Sequence, residues 1–224
     1  MTDNDNKIEK AVEEGLKAPA FDLAQDYAEL GMDAFIDNDA IKEIPIVKTV
    51  VGLIKGGIAV REIFLAKKLL TFLKEFHSGK LKDEKKEAFL QKFHQDKKYR
   101  ESVVEQIMIL NDRFISVEKS KVLSNLFQAH INDKFNWEDF CGLSECLDKL
   151  HTSGFKVLED GSKSGWHFTT YEGKDGNGIL FSAGVCIIHG NHYSINGYGQ
   201  FLYYYGIKGD IDFSFPEQEH ATTS

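Results

Sequence analysis

Cysteine and histidine lie close together in one C-terminal segment, Cys186-Ile-Ile-His189-Gly-Asn-His192. Thiolate and imidazole groups are zinc ligands, and two residues between ligands is a workable spacing in a turn. Three further candidate ligands lie elsewhere in the sequence: His167, His151 and Cys146. The pattern is incomplete, because structural zinc sites usually draw two ligands from each of two knuckles, and no second CxxC or CxxH occurs. We therefore favour a strand cysteine and two turn histidines without a metal, and we predict no cofactor.

A Cys–His catalytic pair is a second interpretation of these residues. A nucleophilic cysteine needs a nearby base and a lowered thiol pKa, whereas Cys186 lies in an apolar run that raises it. The sequence has no P-loop, no HExxH and no GxSxG motif. We predict no catalytic residues and no enzyme activity.

Composition places the chain among ordinary globular proteins. It has 224 residues, of which 42% are apolar and 28% charged. Three cysteines cannot all pair in disulfides, which favours a reducing compartment, and we expect the cytoplasm. The polar start MTDNDNKIEK does not resemble a signal peptide, and no apolar run approaches the ~20 residues that a spanning helix needs.

Charge is strongly segregated along the chain. Residues 1–40 contain eleven acidic residues and three lysines, a net charge of −8, whereas residues 41–100 contain fifteen Lys and Arg and seven acidic residues, a net charge of +8. The acidic segment either covers the basic middle of its own chain or leaves it for an anionic partner. Residues 151–224 contain four lysines and eight acidic residues, so we predict no nucleic-acid partner.

Most of the first 150 residues have the 3.6-residue period of helices. We predict amphipathic helices over 9–16 and 21–35, a helix that begins at Pro45, and another that ends at His77-Ser78-Gly79. Four more helices carry the apolar sets around Phe89, Ile107, Leu126 and Leu143, and Asn136 is an N-cap candidate for the last. Residues 1–152 are therefore predicted to form a helical bundle.

The pattern changes after Ser153, where most of the nineteen glycines fall and the helical period is lost. Short β-rich runs cover 155–158, 166–171, 179–188 and 207–213, and the Asp-Gly and Asn-Gly pairs in 173–178 are hairpin signals. We predict an α+β fold, with a small β-rich aromatic module over 153–215 and a disordered tail over 216–224.

Residues 44–76 form the least ordinary segment, with two apolar helical stretches joined at Gly56-Gly57. The basic residues that border the apolar surface are Lys48, Lys55, Arg61, Lys67, Lys68 and Lys74. One interpretation is a hairpin at the centre of the bundle, with lysine stems along its edge. The alternative is an interfacial hairpin that engages anionic lipid at the inner membrane.

Tyrosine is concentrated near the C-terminus, at Tyr198, Tyr203, Tyr204 and Tyr205. Tyrosine is favoured at protein interfaces and also stacks on bases. We favour a role in the core or in an interface.

The run Ile44-Pro-Ile-Val-Lys-Thr-Val-Val-Gly-Leu-Ile-Lys-Gly-Gly, followed by Val60-Arg-Glu-Ile-Phe and Lys67-Lys68-Leu-Leu-Thr-Phe-Leu, resembles a group of uncharacterised bacterial proteins of similar length. The resemblance covers about residues 40–150. It implies a bacterial or mobile-element origin and no established activity, so no functional residue is carried over. An association with phage defence or stress is an expectation that rests on this resemblance alone.

We therefore expect a non-enzymatic interaction or regulatory protein that binds a protein partner or itself. The predicted contact residues are Lys48, Lys55, Arg61, Lys67 and Lys68 in the helical part and Tyr198, Tyr203, Tyr204 and Tyr205 in the C-terminal part. The alternatives are a membrane-active hairpin and, third, a metal protein or enzyme that uses Cys186, His189 and His192.

Overall fold

A computed structural model describes residues 3–18, 44–54, 60–169, 176–190 and 192–214. The fold is helix-rich α+β. Its elements in order are α1 (Asp3–Lys17), α2 (Pro45–Ile54), α3 (Val60–Phe76), α4 (Asp83–Gln95), α5 (Lys97–Arg113), α6 (Val117–Ile131), α7 (Trp137–Lys149), α8 (Ser153–Lys163), β1 (His167–Thr169), α9 (Gly176–Ser182), β2 (Cys186–His189), β3 (His192–Ile195), α10 (Gly197–Phe201) and a π-helix (Leu202–Ile207). The predicted helix over 21–35, the Gly56-Gly57 junction and the tail 216–224 lie outside the described residues.

Local signals place several helix ends as expected. Asn136 precedes α7, and its side-chain oxygen accepts a hydrogen bond from the backbone N–H of Asp139 at 2.9 Å, which confirms the predicted N-cap. Pro45 is the first residue of α2, where its missing N–H costs no helical hydrogen bond. Helix α3 ends before His77-Ser78-Gly79, and Gly79 has a φ of 85°, a conformation that glycine adopts without strain.

Helix α6 lies at the centre of the core. Nearly all of its residues are buried, and it packs against α3, α4, α7 and the π-helix. The ring of Phe127 lies between three helices, with centroid distances of 5.8 Å to Phe76 of α3, 5.5 Å to Phe89 of α4 and 5.5 Å to Phe140 of α7. Such ring pairs add stabilisation beyond the area they bury. One aromatic side chain thus connects the helices that surround α6.

The three short strands form an antiparallel sheet in the order β1-β3-β2. Strands β2 and β3 are the two arms of a hairpin, with Cys186 opposite Ile195 and His189 opposite His192. On the other side of β3, His167 pairs with Ser194. Among the residues that the structure describes, strand β2 is therefore an edge of this sheet.

The C-terminal part is more helical than predicted. Residues 155–158 lie in α8, where the buried positions 154, 158 and 161 recur at helical spacing. Asn177-Gly178 lies inside α9 and is not a hairpin turn, and residues 207–213 form no strand. A short apolar run fits one face of a helix as well as a strand, and residues 155–158 follow the helix. The division at residue 152 remains a prediction, and apolar residues on both sides of it belong to one core cluster.

The π-helix joins this core by a close approach to α6. A methyl group placed on Gly206 would lie 2.9 Å from Val122 and 3.3 Å from Leu126. The side-chain amide of Asn125 donates a hydrogen bond to the Gly206 carbonyl at 2.8 Å, and Lys80 donates to the Asn125 oxygen at 2.8 Å. A glycine at position 206 is thus required for contact between the two helices.

We predict that Gly206→Ala lowers the free energy of unfolding by about 1–3 kcal/mol, because the added methyl overpacks the interface with α6. Urea denaturation measures the change. Gly197→Ala is the matched control, since nothing lies within 4 Å of the methyl it would add. Equal stabilities for the two variants would contradict this packing.

Candidate interaction surface

The basic residues of segment 44–76 divide into exposed and buried sets. Lys48 and Arg61 are exposed, and the Arg61 guanidinium pairs with both carboxylate oxygens of Asp112, at 2.6 and 3.2 Å. Lys67 and Lys68 are buried, with 6% and 7% of their surface exposed. Lys55 lies outside the described residues. Because both side chains are buried, the contact role predicted for Lys67 and Lys68 gains no support from this structure.

Lys68 caps a neighbouring helix. Its ammonium group donates hydrogen bonds to the carbonyl oxygens of Phe114 at 2.7 Å and Asp112 at 3.2 Å, which lie at the C-terminus of α5. Burial lowers the pKa of Lys68, while the nearby Asp112 carboxylate acts in the opposite direction. Burial also lowers the pKa of Lys67, whose ammonium lies 6.0 Å from the centre of the Phe64 ring.

Cationic side chains also donate to the C-terminal carbonyls of other helices. Arg100 donates to the carbonyls of Phe93 and His94 at the end of α4, at 3.0 and 3.2 Å. Lys119 donates a hydrogen bond to the backbone carbonyl of Asp148, at the end of α7, at 2.8 Å. The last carbonyls of a helix lack intrahelical donors and carry partial negative charge, so a cation there is favourable.

Two uncharged side chains complete the pattern. The amide of Gln128 donates to the Glu75 carbonyl of α3 at 2.9 Å, and Nε2 of His77 lies 2.9 Å from the Gly15 carbonyl of α1. Because a carbonyl only accepts, Nε2 of His77 carries the hydrogen. Lys68 and Arg100, two of the basic residues in 41–100, therefore act inside the fold as helix caps.

Most apolar residues of this segment that the structure describes face inward, and Phe64, with 50% of its surface exposed, does not. Ile46, Val47 and Ile63 are buried, as are the inward positions of α3. The side chains of Val50, Val51, Leu53 and Ile54 lie outside the description. Within the described ranges, the helices lack the length and apolar content that crossing a membrane requires.

The tyrosines are mostly internal. Tyr203 and Tyr205 are buried, and the Tyr205 hydroxyl donates to the Phe213 carbonyl at 3.0 Å. Tyr204 is half-buried and stacks on Phe213 with a centroid distance of 3.5 Å. Tyr198 is half-buried, with its hydroxyl 3.4 Å from an Asp139 carboxylate oxygen. The rings of Tyr203 and Tyr205 fill the space between the π-helix and the core, so their predicted contact role gains no support from this structure.

The structure separates Cys186 from the two histidines. Cys186 and His189 are three residues apart on β2, so their side chains lie on opposite faces of the sheet, about 10 Å apart along the strand. Burial raises the pKa of the Cys186 thiol, and likewise those of Cys141 and Cys146. Within the described part of the chain, no three Cys, His, Asp or Glu side chains converge on one point.

The remaining candidate ligands also lie apart from this hairpin. His151 precedes α8 and forms a hydrogen bond with the Ser153 hydroxyl at 2.8 Å, and Cys146 lies on α7. The side chain of His167 is outside the description. The CxxH segment Cys186–His189 forms strand β2 and His192 begins β3, so the two histidines lie in strands and not in the turn where the sequence placed them.

Apolar side chains do reach the surface at the sheet edge, where the neighbours Ile187 and Ile188 of β2 lie on opposite faces of the sheet. Phe181 of α9 and Ile187 and Ile188 of β2 are 55%, 48% and 40% exposed. Helix α9 packs against β2, so the three side chains belong to neighbouring elements. We refer to Phe181, Ile187 and Ile188 as the β2 edge surface. Sequence reasoning placed Ile187 and Ile188 in a β-rich run but missed this surface, because a sequence does not specify which strand is at the edge.

Comparisons of the chain with protein-family models, with curated proteins and with solved structures found no match. The resemblance over residues 40–150 therefore remains a prediction.

We predict that Lys68→Met lowers the free energy of unfolding by about 1–3 kcal/mol, because the methionine fills similar space but leaves the carbonyls at the end of α5 without their donor. Chemical denaturation measures this change. Lys121→Met, at an exposed position of α6, is the control and is expected to change stability by less than about 0.5 kcal/mol. An unchanged midpoint for Lys68→Met would argue against the cap.

We predict that acidification weakens the fold below the usual histidine pKa of 6.5. Burial lowers the pKa values of His77 and His130, so the unfolded chain binds protons that the folded chain does not. Stability is therefore fully present above pH 6.5 and falls as the pH drops below it. Denaturation midpoints between about pH 7.5 and 5.5 test this window.

The double variant His77→Gln, His130→Gln is expected to flatten this pH dependence, because glutamine keeps an N–H donor and does not titrate. His94→Gln, at an exposed position on α4, is the control and should retain the wild-type dependence. If stability depends on pH as strongly in the double variant as in the wild type, His77 and His130 are not the groups responsible.

Proposed function

We propose that this chain is a binding protein that self-associates through the β2 edge surface, with an N-terminal helical bundle as the support and the C-terminal α+β part as the docking module. The exposure of Phe181, Ile187 and Ile188 beside an edge strand carries this proposal. A role in a bacterial defence or stress response rests on the resemblance alone.

The composition of β2 supports a covered edge. Natural sheets protect edge strands by short length, lysine, proline or bulges, because an open apolar edge pairs with other chains. Strand β2, Cys-Ile-Ile-His, is short but contains neither lysine nor proline. The carbonyl of Val185 accepts from Asn196 on the β3 side, so strand alternation directs the backbone groups of Ile188 toward the open side. Another strand at this edge would satisfy them.

A second copy of the chain fits this edge by self-complementarity. A two-fold axis normal to the sheet keeps the two faces of the sheet distinct and pairs the strands antiparallel. Centred on Ile187, it places Ile187 opposite Ile187 of the second copy and Cys186 opposite its Ile188. Apolar side chains then meet on both faces, and the flanking Phe181 of each copy extends the apolar contact.

The membrane alternative has less support, because Ile46, Val47 and Ile63 belong to the core and would have to leave it before they could reach lipid. A partner that binds the basic residues of α3 has less support for the same reason, since Lys67 and Lys68 are buried.

We predict that the protein is a dimer at micromolar concentration and that Ile187→Lys makes it monomeric, because a charge at the centre of the edge opposes strand pairing. Size-exclusion chromatography with light scattering over a concentration series measures the mass, and circular dichroism verifies that the variant is folded.

Ile115→Lys is the matched control, since Ile115 is fully exposed in the loop between α5 and α6, away from the sheet. It should leave the dimer intact. A wild-type protein that stays monomeric at all concentrations, or a dimer that persists in Ile187→Lys, would overturn the proposal.

A further inference from the structure

Two histidines face each other across the β2–β3 hairpin. His189 ends β2, His192 begins β3, and the register places them directly opposite. Two residues separate them, and Gly190 has a φ of 60°, which a tight two-residue turn requires and glycine supplies without strain. The strand register therefore holds the two histidine positions opposite each other.

Both imidazoles are accessible to solvent. Each histidine is exposed. Directly opposed residues have Cβ atoms about 4.5–5.5 Å apart, with side chains on the same face of the sheet. That spacing allows two imidazole nitrogens to reach one ion at the usual metal–nitrogen distance of about 2.0–2.1 Å.

We propose that His189 and His192 together bind one divalent transition-metal ion, of the class of Cu²⁺, Ni²⁺ or Zn²⁺. Imidazole favours these ions, whereas Ca²⁺ and Mg²⁺ favour oxygen ligands. The site differs from the Cys186–His189 set that the sequence suggested, because Cys186 lies on the other face of the sheet.

The coordination expected is open. With two protein ligands, water occupies the remaining positions, which distinguishes this site from closed four-ligand structural zinc sites. Removal of the metal should therefore leave the fold intact, and the site fits an ion that exchanges with solvent or is shared with another ligand. On β1, His167 pairs with Ser194, two residues from His192 along β3, but the proposal requires only the hairpin pair.

The test is Cu²⁺ titration of the full chain, without an affinity tag, followed by electron paramagnetic resonance and by equilibrium dialysis. We expect one equivalent to bind with coupling to two nitrogens. His189→Gln or His192→Gln should each reduce the affinity for Cu²⁺ by roughly tenfold or more, because only one of the two imidazole ligands remains. The paramagnetic resonance spectrum of either variant should show coupling to one nitrogen.

His151→Gln and His94→Gln are the controls, since each changes a single exposed histidine elsewhere on the surface. Both should bind Cu²⁺ as the wild type does. Equal affinity in the wild type and the His189→Gln, His192→Gln double variant would overturn the proposal. This result would not bear on self-association, which is measured without metal.

Discussion

Helix C-termini leave carbonyl oxygens without intrahelical donors, and in this protein side chains from other elements donate to them. Arg100 serves α4, Lys68 serves α5 and Lys119 serves α7. The amide of Gln128 and the ring of His77 serve α3 and α1 in the same way. Each contact satisfies a polar group and also fixes the position of one helix against another, so the caps and the aromatic contacts of Phe127 act together to orient the helices around α6.

This constraint changes the meaning of the charge pattern. A stretch of net charge +8 suggests an anionic partner, but its cations Lys68 and Arg100 are used within the chain. Helix α1, from the acidic segment, packs against α2, α3 and α5, and its Glu13 lies 3.4 Å from Arg100. In α1, the acidic segment thus contacts the basic middle of its own chain. The docking surface that we propose is instead apolar and lies at the sheet edge, far along the sequence from the basic segment.

The sequence predicted the features that depend on neighbouring residues. The helical period, the Asn136 cap, Pro45 at the start of α2 and the end of α3 near Gly79 are all local signals, and the structure confirms them. Strand order, register and burial depend on the whole fold. Residues 155–158 were misassigned because a short apolar run has no decisive period. Lys68 and Tyr205 were misplaced on the surface because only the packed structure shows what covers them.

The most direct measurement of the internal use of charge is competitive labelling of the native protein with an amine-reactive reagent, analysed residue by residue by mass spectrometry. Lys68 and Lys119 should react far more slowly than Lys98 and Lys121, which are exposed on α5 and α6. All four should react alike after denaturation. Equal labelling of Lys68, Lys119 and the exposed lysines in the native protein would contradict the assignment of these cations as internal caps.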